Sequence, residues 1–325
     1  MKDGLLFANA VAKSKENGLF KSERLDRMID AENLDTAVKI LVESDYGNGT
    51  LIEDPADFDK ILDAEAALLP EFIRSISVEG VGIECFFLRD DYFNLKALLK
   101  AKYGSGQVSY PHAKGGLIPF EVMKDAIQRE KPPLPQFMVD AITEIETTFE
   151  TTKSPRFLDE CVDKAMFSDI ACRLSKKGVD SKIRQYFSAT ADFINISSFV
   201  RSARINADIT FFLSGFVVAG TLDETFFSSI YPDCGVLSER LRSGIYDKFT
   251  DFVKTRDLAS FDRERDNYLI DIFREKRDDM FSTAPVVGYY LAKRSEISTL
   301  RMMLVCIKND VSRDEIRKRL RTLYA

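Results

Sequence analysis

Carboxylates stand in pairs at Asp90-Asp91, Asp278-Asp279 and Glu264/Asp266, the arrangement in which one acid could donate a proton while its neighbour holds a charge. With 52 acidic residues in 325 such pairs arise by chance, so they mark no catalytic centre by themselves. The single histidine, His112, lies in the turn-like stretch Tyr110-Pro111-His112-Ala113-Lys114 and reads as a solvated loop residue. One histidine excludes H-E-x-x-H and every multi-histidine metal site. Neither G-x-x-x-x-G-K-[ST], G-x-G-x-x-G nor G-x-S-x-G occurs, and Gly104/Gly106 and Gly47/Gly49 read as turns rather than phosphate loops. Five cysteines at 85, 161, 172, 234 and 306, with no C-x-x-C pair, fit free buried thiols in a reducing compartment. We therefore expect no catalytic residue, no cofactor, no metal and no small-molecule substrate.

Polar side chains do recur in a pattern of another kind. Asp91-Tyr92-Phe93-Asn94-Leu95-Lys96, Asp192-Phe193-Ile194-Asn195-Ile196 and Glu296-Ile297-Ser298-Thr299-Leu300-Arg301 repeat one helical motif about a hundred residues apart. Residues three and four apart share a helix face, so acid and amide sit together beside an apolar stripe of Leu95, Leu98 and Leu99, of Ile196 and Phe199, or of Leu300, Met303 and Leu304. Two roles fit: an internal cap or cross-link within each bundle, or a polar surface offered to a partner. After the second and third copies, Thr221-Leu222-Asp223-Glu224 and Ser312-Arg313-Asp314-Glu315 fit capping boxes. After the first, Gly115-Gly116-Leu117-Ile118-Pro119-Phe120-Glu121 puts proline at a helix start.

The elements that carry these motifs are helical. Leu25, Met28 and Ile29, then Leu34, Ala37, Val38 and Leu41, fall at helical spacing, as do Leu62, Ala66, Leu69 and Ile73, with Pro70 kinking or starting a helix. Phe157, Leu158, Cys161, Val162 and Ala165 continue the pattern, followed by Tyr268, Leu269, Ile272 and Phe273. Strand-like alternation is confined to Ile76–Cys85. Connections are expected at Gly104-Ser105-Gly106 and Lys131-Pro132-Pro133-Leu134-Pro135. The repeat divides the chain into helical units 1–106, 107–208 and 209–325, too long for solenoid repeats.

Hydrophobic residues make up 45% of the chain, enough to fill a core, and 25 phenylalanines with no tryptophan spread aromatic packing along it. A net charge of −6 gives no basic excess for nucleic acid. The apolar run from Ile209 to Ala219 is broken by Ser214-Gly215 and falls short of the roughly 20 residues of a membrane helix. At the N-terminus Leu5-Leu6-Phe7 is too short for the apolar core of a secretion signal. The basic end Ile316-Arg317-Lys318-Arg319-Leu320-Arg321 complements a helix dipole, or meets an acidic partner or lipid headgroups.

The D-x-x-N-[LI]-K run at Asp91–Lys96 is similar to the repeated signature of the C subunits of bacterial and archaeal V/A-type rotary ATPases, the counterparts of the d subunits of eukaryotic V-ATPases. Tyr289-Tyr290-Leu291 ahead of Glu296, and the opening with Ala8-Asn9-Ala10, Leu34 and Ser44-Asp45-Tyr46-Gly47, resemble the same family over essentially the whole length. The copies depart from the pattern where Ser197 replaces the basic residue, with Arg201 supplying charge a turn later, and where Thr299 replaces the asparagine. The resemblance implies an all-α fold of three similar bundles with pseudo-threefold symmetry forming a funnel. It implies a non-catalytic central-stalk component on the cytoplasmic side, peripheral to the membrane, coupling the rotor shaft to the proteolipid ring during ATP-linked proton or sodium transport. Asp91, Asn94, Lys96, Asp192, Asn195, Arg201, Glu296 and Arg301 are then the candidate partner-binding residues. The competing readings are a soluble three-repeat helical scaffold unrelated to a rotary machine, and a lyase or hydrolase built on a helical core.

Overall fold

A computed structural model describes residues 2–103, 112–128 and 134–320, and among these there is no strand. The helices in chain order are α1 (Lys2–Glu16), α2 (Ser22–Ile29), α3 (Leu34–Val42), α4 (Asp59–Ile76), α5 (Cys85–Tyr103), α6 (Phe120–Gln128), α7 (Gln136–Thr152) and α8 (Pro155–Leu174). They continue with α9 (Ser181–Arg204), α10 (Ile209–Ser214), α11 (Glu224–Ser228), α12 (Cys234–Arg242), α13 (Thr250–Thr255), α14 (Leu258–Arg274), α15 (Ala284–Lys308) and α16 (Arg313–Arg319). None of the described helices is long and apolar enough to cross a membrane. Residues 76–85, the expected alternating segment, end α4, form turns and begin α5, and Pro70 lies inside α4 rather than at its start. Gly104-Ser105-Gly106 and Lys131-Pro132-Pro133 lie outside the described residues, and with them the expected 106/107 boundary.

The chain forms two compact units, residues 1–79 with 270–325, and residues 80–269. In the first, both chain ends contribute to one core. Phe20, Leu25, Met28 and Ile29 of the N-terminal region are buried with Leu300, Met303 and Leu304 of α15 and Ile316 of α16. Burying each such side chain stabilises by about 1.5–3 kcal/mol before conformational entropy is counted. At the basic end of α16 Arg317 pairs with Asp30, and at its start Arg313 donates to the Asp30 and Ala31 carbonyls at the end of α2; Arg321 lies outside the described residues.

In the second unit α5 and α7 pack on α8, and α12 on α13. Phenylalanines knit the elements around α9. Phe193 meets Tyr246, Phe249, Phe261 and Tyr268 at centroid distances of 4.6–5.4 Å and 5.8 Å, mostly edge to face. One turn and a half along, Phe199 meets Phe212, Phe227 and Tyr231.

Side-chain caps start several of the helices. Ser154 caps α8 with Pro155 in the first turn, Asp180 caps α9, and Ser312 accepts from the Glu315 N–H at the start of α16. The box expected at Thr221–Glu224 is not formed: Asp223 caps α11, and the Thr221 hydroxyl donates to Asp192 instead. The hydroxyl that would accept a helix N–H in a capping box instead donates to a carboxylate, a strong charge-assisted bond, and Asp223 supplies the acceptor for the helix. All five cysteines are free; four are buried as expected, and Cys172 is exposed.

Candidate functional site

Each motif acid is buried and fastens a loop. Asp91 on α5 is 0% exposed and accepts from the backbone N–H groups of Leu117 and Ile118, both at 2.9 Å. One turn on, Asn94 clasps Ala113 at both ends, its amide donating to the carbonyl at 2.9 Å and its oxygen accepting from the N–H at 2.7 Å. Asp192 on α9 repeats the arrangement with Thr221 at 3.0 Å and Leu222 at 2.9 Å, and Asn195 clasps Val217 at 2.8 and 3.0 Å. Two hydroxyls join it, from Thr221 and from Tyr246, each at 2.6 Å.

A glycine precedes the donor pair in both places because the carboxylate occupies the space where a side chain would begin. A Cβ on Gly116 would lie 2.2 Å from Asp91 Oδ1, and one on Gly220 2.2 Å from Asp192 Oδ1. Real Cβ contacts are never that short, so the tripeptides Gly116-Leu117-Ile118 and Gly220-Thr221-Leu222 are fitted to the acids beneath them.

The third acid is served from the other end of the chain. Glu296 on α15 accepts the Phe20 N–H and the Tyr46 hydroxyl, the latter at 2.8 Å. Phe20 sits in Gly18-Leu19-Phe20, the same glycine-led tripeptide, and Tyr46 stands to Glu296 as Tyr246 stands to Asp192. The spacing from tripeptide to acid is near-constant: 71 positions from Phe20 to Asp91, 74 from Ile118 to Asp192 and 74 from Leu222 to Glu296. Each acid thus fastens the start of the following segment, and after the last segment the first follows. This third join differs in detail. Thr299 replaces the clasping asparagine, the Leu19 N–H is held by Glu16 at the end of α1, and Lys293 sits between Glu296 at 2.9 Å and Glu65 at 3.0 Å.

Burial governs the protonation of Asp91 and of the two tyrosines at the joins. It pushes Asp91 up to about 6, against the two backbone N–H bonds that favour the carboxylate, with the neighbouring Asp90 charge raising it and Arg173 lowering it. Burial, then the adjacent carboxylate, raises the hydroxyls of Tyr46 and Tyr246 far above the ordinary tyrosine value. No group of histidine, cysteine and acidic side chains among the described residues is placed to hold a metal ion.

The basic candidates sit elsewhere on the same helices. Lys96 pairs with Asp163 at 2.7 Å and reaches Asp159 at 3.9 Å, and Arg301 pairs with Asp59 and Asp63, both at 2.6 Å. Arg201 is exposed, with no ion pair among the described residues. The eight candidates therefore do not form one surface: five are buried in three joins, two are in ion pairs and one faces solvent. His112 is an exposed residue stacked on Phe120 at 4.3 Å. The motif alone does not point to Thr221, Tyr246, Phe20, Tyr46 or Lys293. The glycine-led tripeptide at a near-constant distance before each acid is the signal that points to the loops.

The family described as ATP synthase (C/AC39) subunit matches residues 8–319. The chain is 22% identical over 332 residues to the C subunit of the V-type sodium ATPase of Enterococcus hirae, covering 97% of this chain and 98% of that protein. It is 21% identical over 353 residues to the C subunit of the A-type ATP synthase of Methanocaldococcus jannaschii, covering 98% and 86%.

Proposed function

The chain belongs to the ATP synthase C/AC39 family, and from that membership we propose that it is a non-catalytic central-stalk component of a V/A-type rotary ATPase. It couples the rotor shaft to the membrane proteolipid ring during ATP-linked proton or sodium transport, on the cytoplasmic side and peripheral to the membrane. The proposal includes three helical repeats, 1–106, 107–208 and 209–325, set with pseudo-threefold symmetry as a funnel that accepts the shaft.

The observation that carries this reading is the recurrence of one carboxylate-to-loop join at Asp91, Asp192 and Glu296 in a chain matched by the family over residues 8–319. A part that transmits torque needs stiffness between repeated elements and no nucleophile. Buried acids that each collect several donors supply that stiffness, since hydrogen bonds to a charged group contribute about 1.5–3 kcal/mol each. In this reading the five buried motif residues act on partners indirectly, by holding the loops and helix ends that meet them. Lys96, Arg201 and Arg301 lie nearer the surface and make the contacts that charge can influence.

The test is co-elution. Purified full-length chain mixed with the purified shaft proteins of the same cell's rotary ATPase should migrate as a stoichiometric complex on size exclusion. Separate elution at micromolar concentrations of each would overturn the proposal.

A further inference from the structure

Five and nine residues beyond each motif acid, the three helices carry Lys96 and Lys100, Ser197 and Arg201, and Arg301 and Val305. At corresponding places in the repeat stand three acid pairs spaced four apart on a helix: Asp159 and Asp163 on α8, Asp262 and Asp266 on α14, Asp59 and Asp63 on α4. At the first position the match is complete. Lys96 takes Asp163 at 2.7 Å and Lys100 takes Asp159 at 2.7 Å. At the third, Arg301 bridges both acids at 2.6 Å.

The second position is wired differently. Phe193 of α9 packs against Phe261 and Tyr268 of α14, so the two helices are neighbours. Yet Asp262 and Asp266 are taken by Arg265 of their own helix, at 2.6 and 2.8 Å. Arg201, in register with Lys100, has no ion pair or side-chain hydrogen bond among the described residues. Arg204, three positions on and so on the same face, has none either, and both are exposed. Beside them Ile205 is 62% exposed.

Cations at a helix C-terminus complement the dipole in any protein. The difference here is that the acids corresponding in the repeat to those paired with Lys96 and Lys100 are paired with Arg265 of their own helix, while two guanidinium groups are exposed next to an apolar side chain. Guanidinium forks bind carboxylates through paired hydrogen bonds, and charge complementarity fixes partner orientation and association rate. We propose that Arg201, Arg204 and Ile205 at the end of α9 dock an acidic segment of the rotor shaft. This rests on the central-stalk reading above and assigns a contact within it.

The experiment compares full-length wild-type protein with the Arg201→Glu/Arg204→Glu variant for binding to purified shaft proteins, across a series of salt concentrations. The expected result is binding weakened at least about tenfold, with a shallower salt dependence and an unchanged melting temperature. Equal affinity and equal salt dependence would overturn the docking assignment while leaving the central-stalk reading standing. Failure of the wild type to bind the shaft would overturn both. Should the reversed variant lose stability, Arg201→Gln/Arg204→Gln decides by the same readings, since removing two exposed charges leaves the fold intact and should still flatten the salt dependence.

Discussion

The backbone N–H of Phe20 is bonded to the carboxylate of Glu296, 276 positions away in the chain. That single bond puts the two chain ends into the relationship that Ile118 has with Asp91 and Leu222 has with Asp192, where the separations are only 27 and 30 positions. The N-terminal segment therefore completes the C-terminal motif, and three motifs have three partners with none left over.

The fit of glycine to carboxylate gives the sharpest prediction. Gly116→Ala and Gly220→Ala each force a methyl onto a buried carboxylate, and should cost more than about 2 kcal/mol in chemical denaturation. Gly244→Ala, where the added carbon would meet nothing closer than 3.7 Å, should change stability by less than about 0.5 kcal/mol. Equal effects at all three sites would contradict the join geometry.

Asp192 collects two backbone N–H groups and two hydroxyls, more than either other motif acid gathers from the loops. Asp192→Asn keeps the shape but turns one acceptor into a donor facing donors. A loss of about 2–4 kcal/mol is expected in urea unfolding. A loss below about 0.5 kcal/mol would mean that the four contacts are not held in solution.

Asp91 predicts a pH dependence. Its folded value, about 6, lies above the ordinary 3.8 because burial penalises the charge. The folded state therefore binds the proton more tightly than the unfolded chain. This group's contribution is full below 3.8 and is lost as pH rises through 6, so lowering pH from about 7.5 to about 5 adds about 1 kcal/mol through Asp91. Asp91→Asn should remove that increment from the measured pH profile of unfolding, whereas a profile unchanged by the substitution would refute the shift.

Ser197 holds a buried hydroxyl with no hydrogen-bond partner among the described residues, in the position where Lys96 and Arg301 carry charges. Burying an unpaired hydroxyl is unfavourable, so Ser197→Ala should leave stability unchanged or raise it by up to about 1 kcal/mol. A clear loss in thermal unfolding would show that the hydroxyl has a partner.

Much of this architecture is legible in the sequence. The 3.6-residue period of Leu25, Met28 and Ile29, or of Ala37, Val38 and Leu41, marks buried helical faces, and all six are buried. The Asp91/Asn94 and Asp192/Asn195 pairs stand out as units, and an internal clasp is one of the two roles their spacing allows. The partners are harder to see. A hydrogen bond to a backbone N–H leaves no mark on the identity of the donor, so Leu117, Ile118 and Phe20 carry no sequence signal beyond the glycine one or two places before them. Thr221 misleads because a hydroxyl that matches a capping box also matches a carboxylate, and only the fold brings Asp192 within reach. Nothing local connects Phe20 to Glu296, because that contact exists only once the whole chain is folded.

The central claim is membership of a working rotor, and it is tested most directly by recovering tagged full-length protein from gently solubilised membranes of its own host and identifying the bound chains by mass spectrometry. Co-purification of both the shaft proteins and the proteolipid is the predicted result. A preparation rich in the tagged chain but lacking both, from membranes in which the assembled ATPase is present, would contradict it.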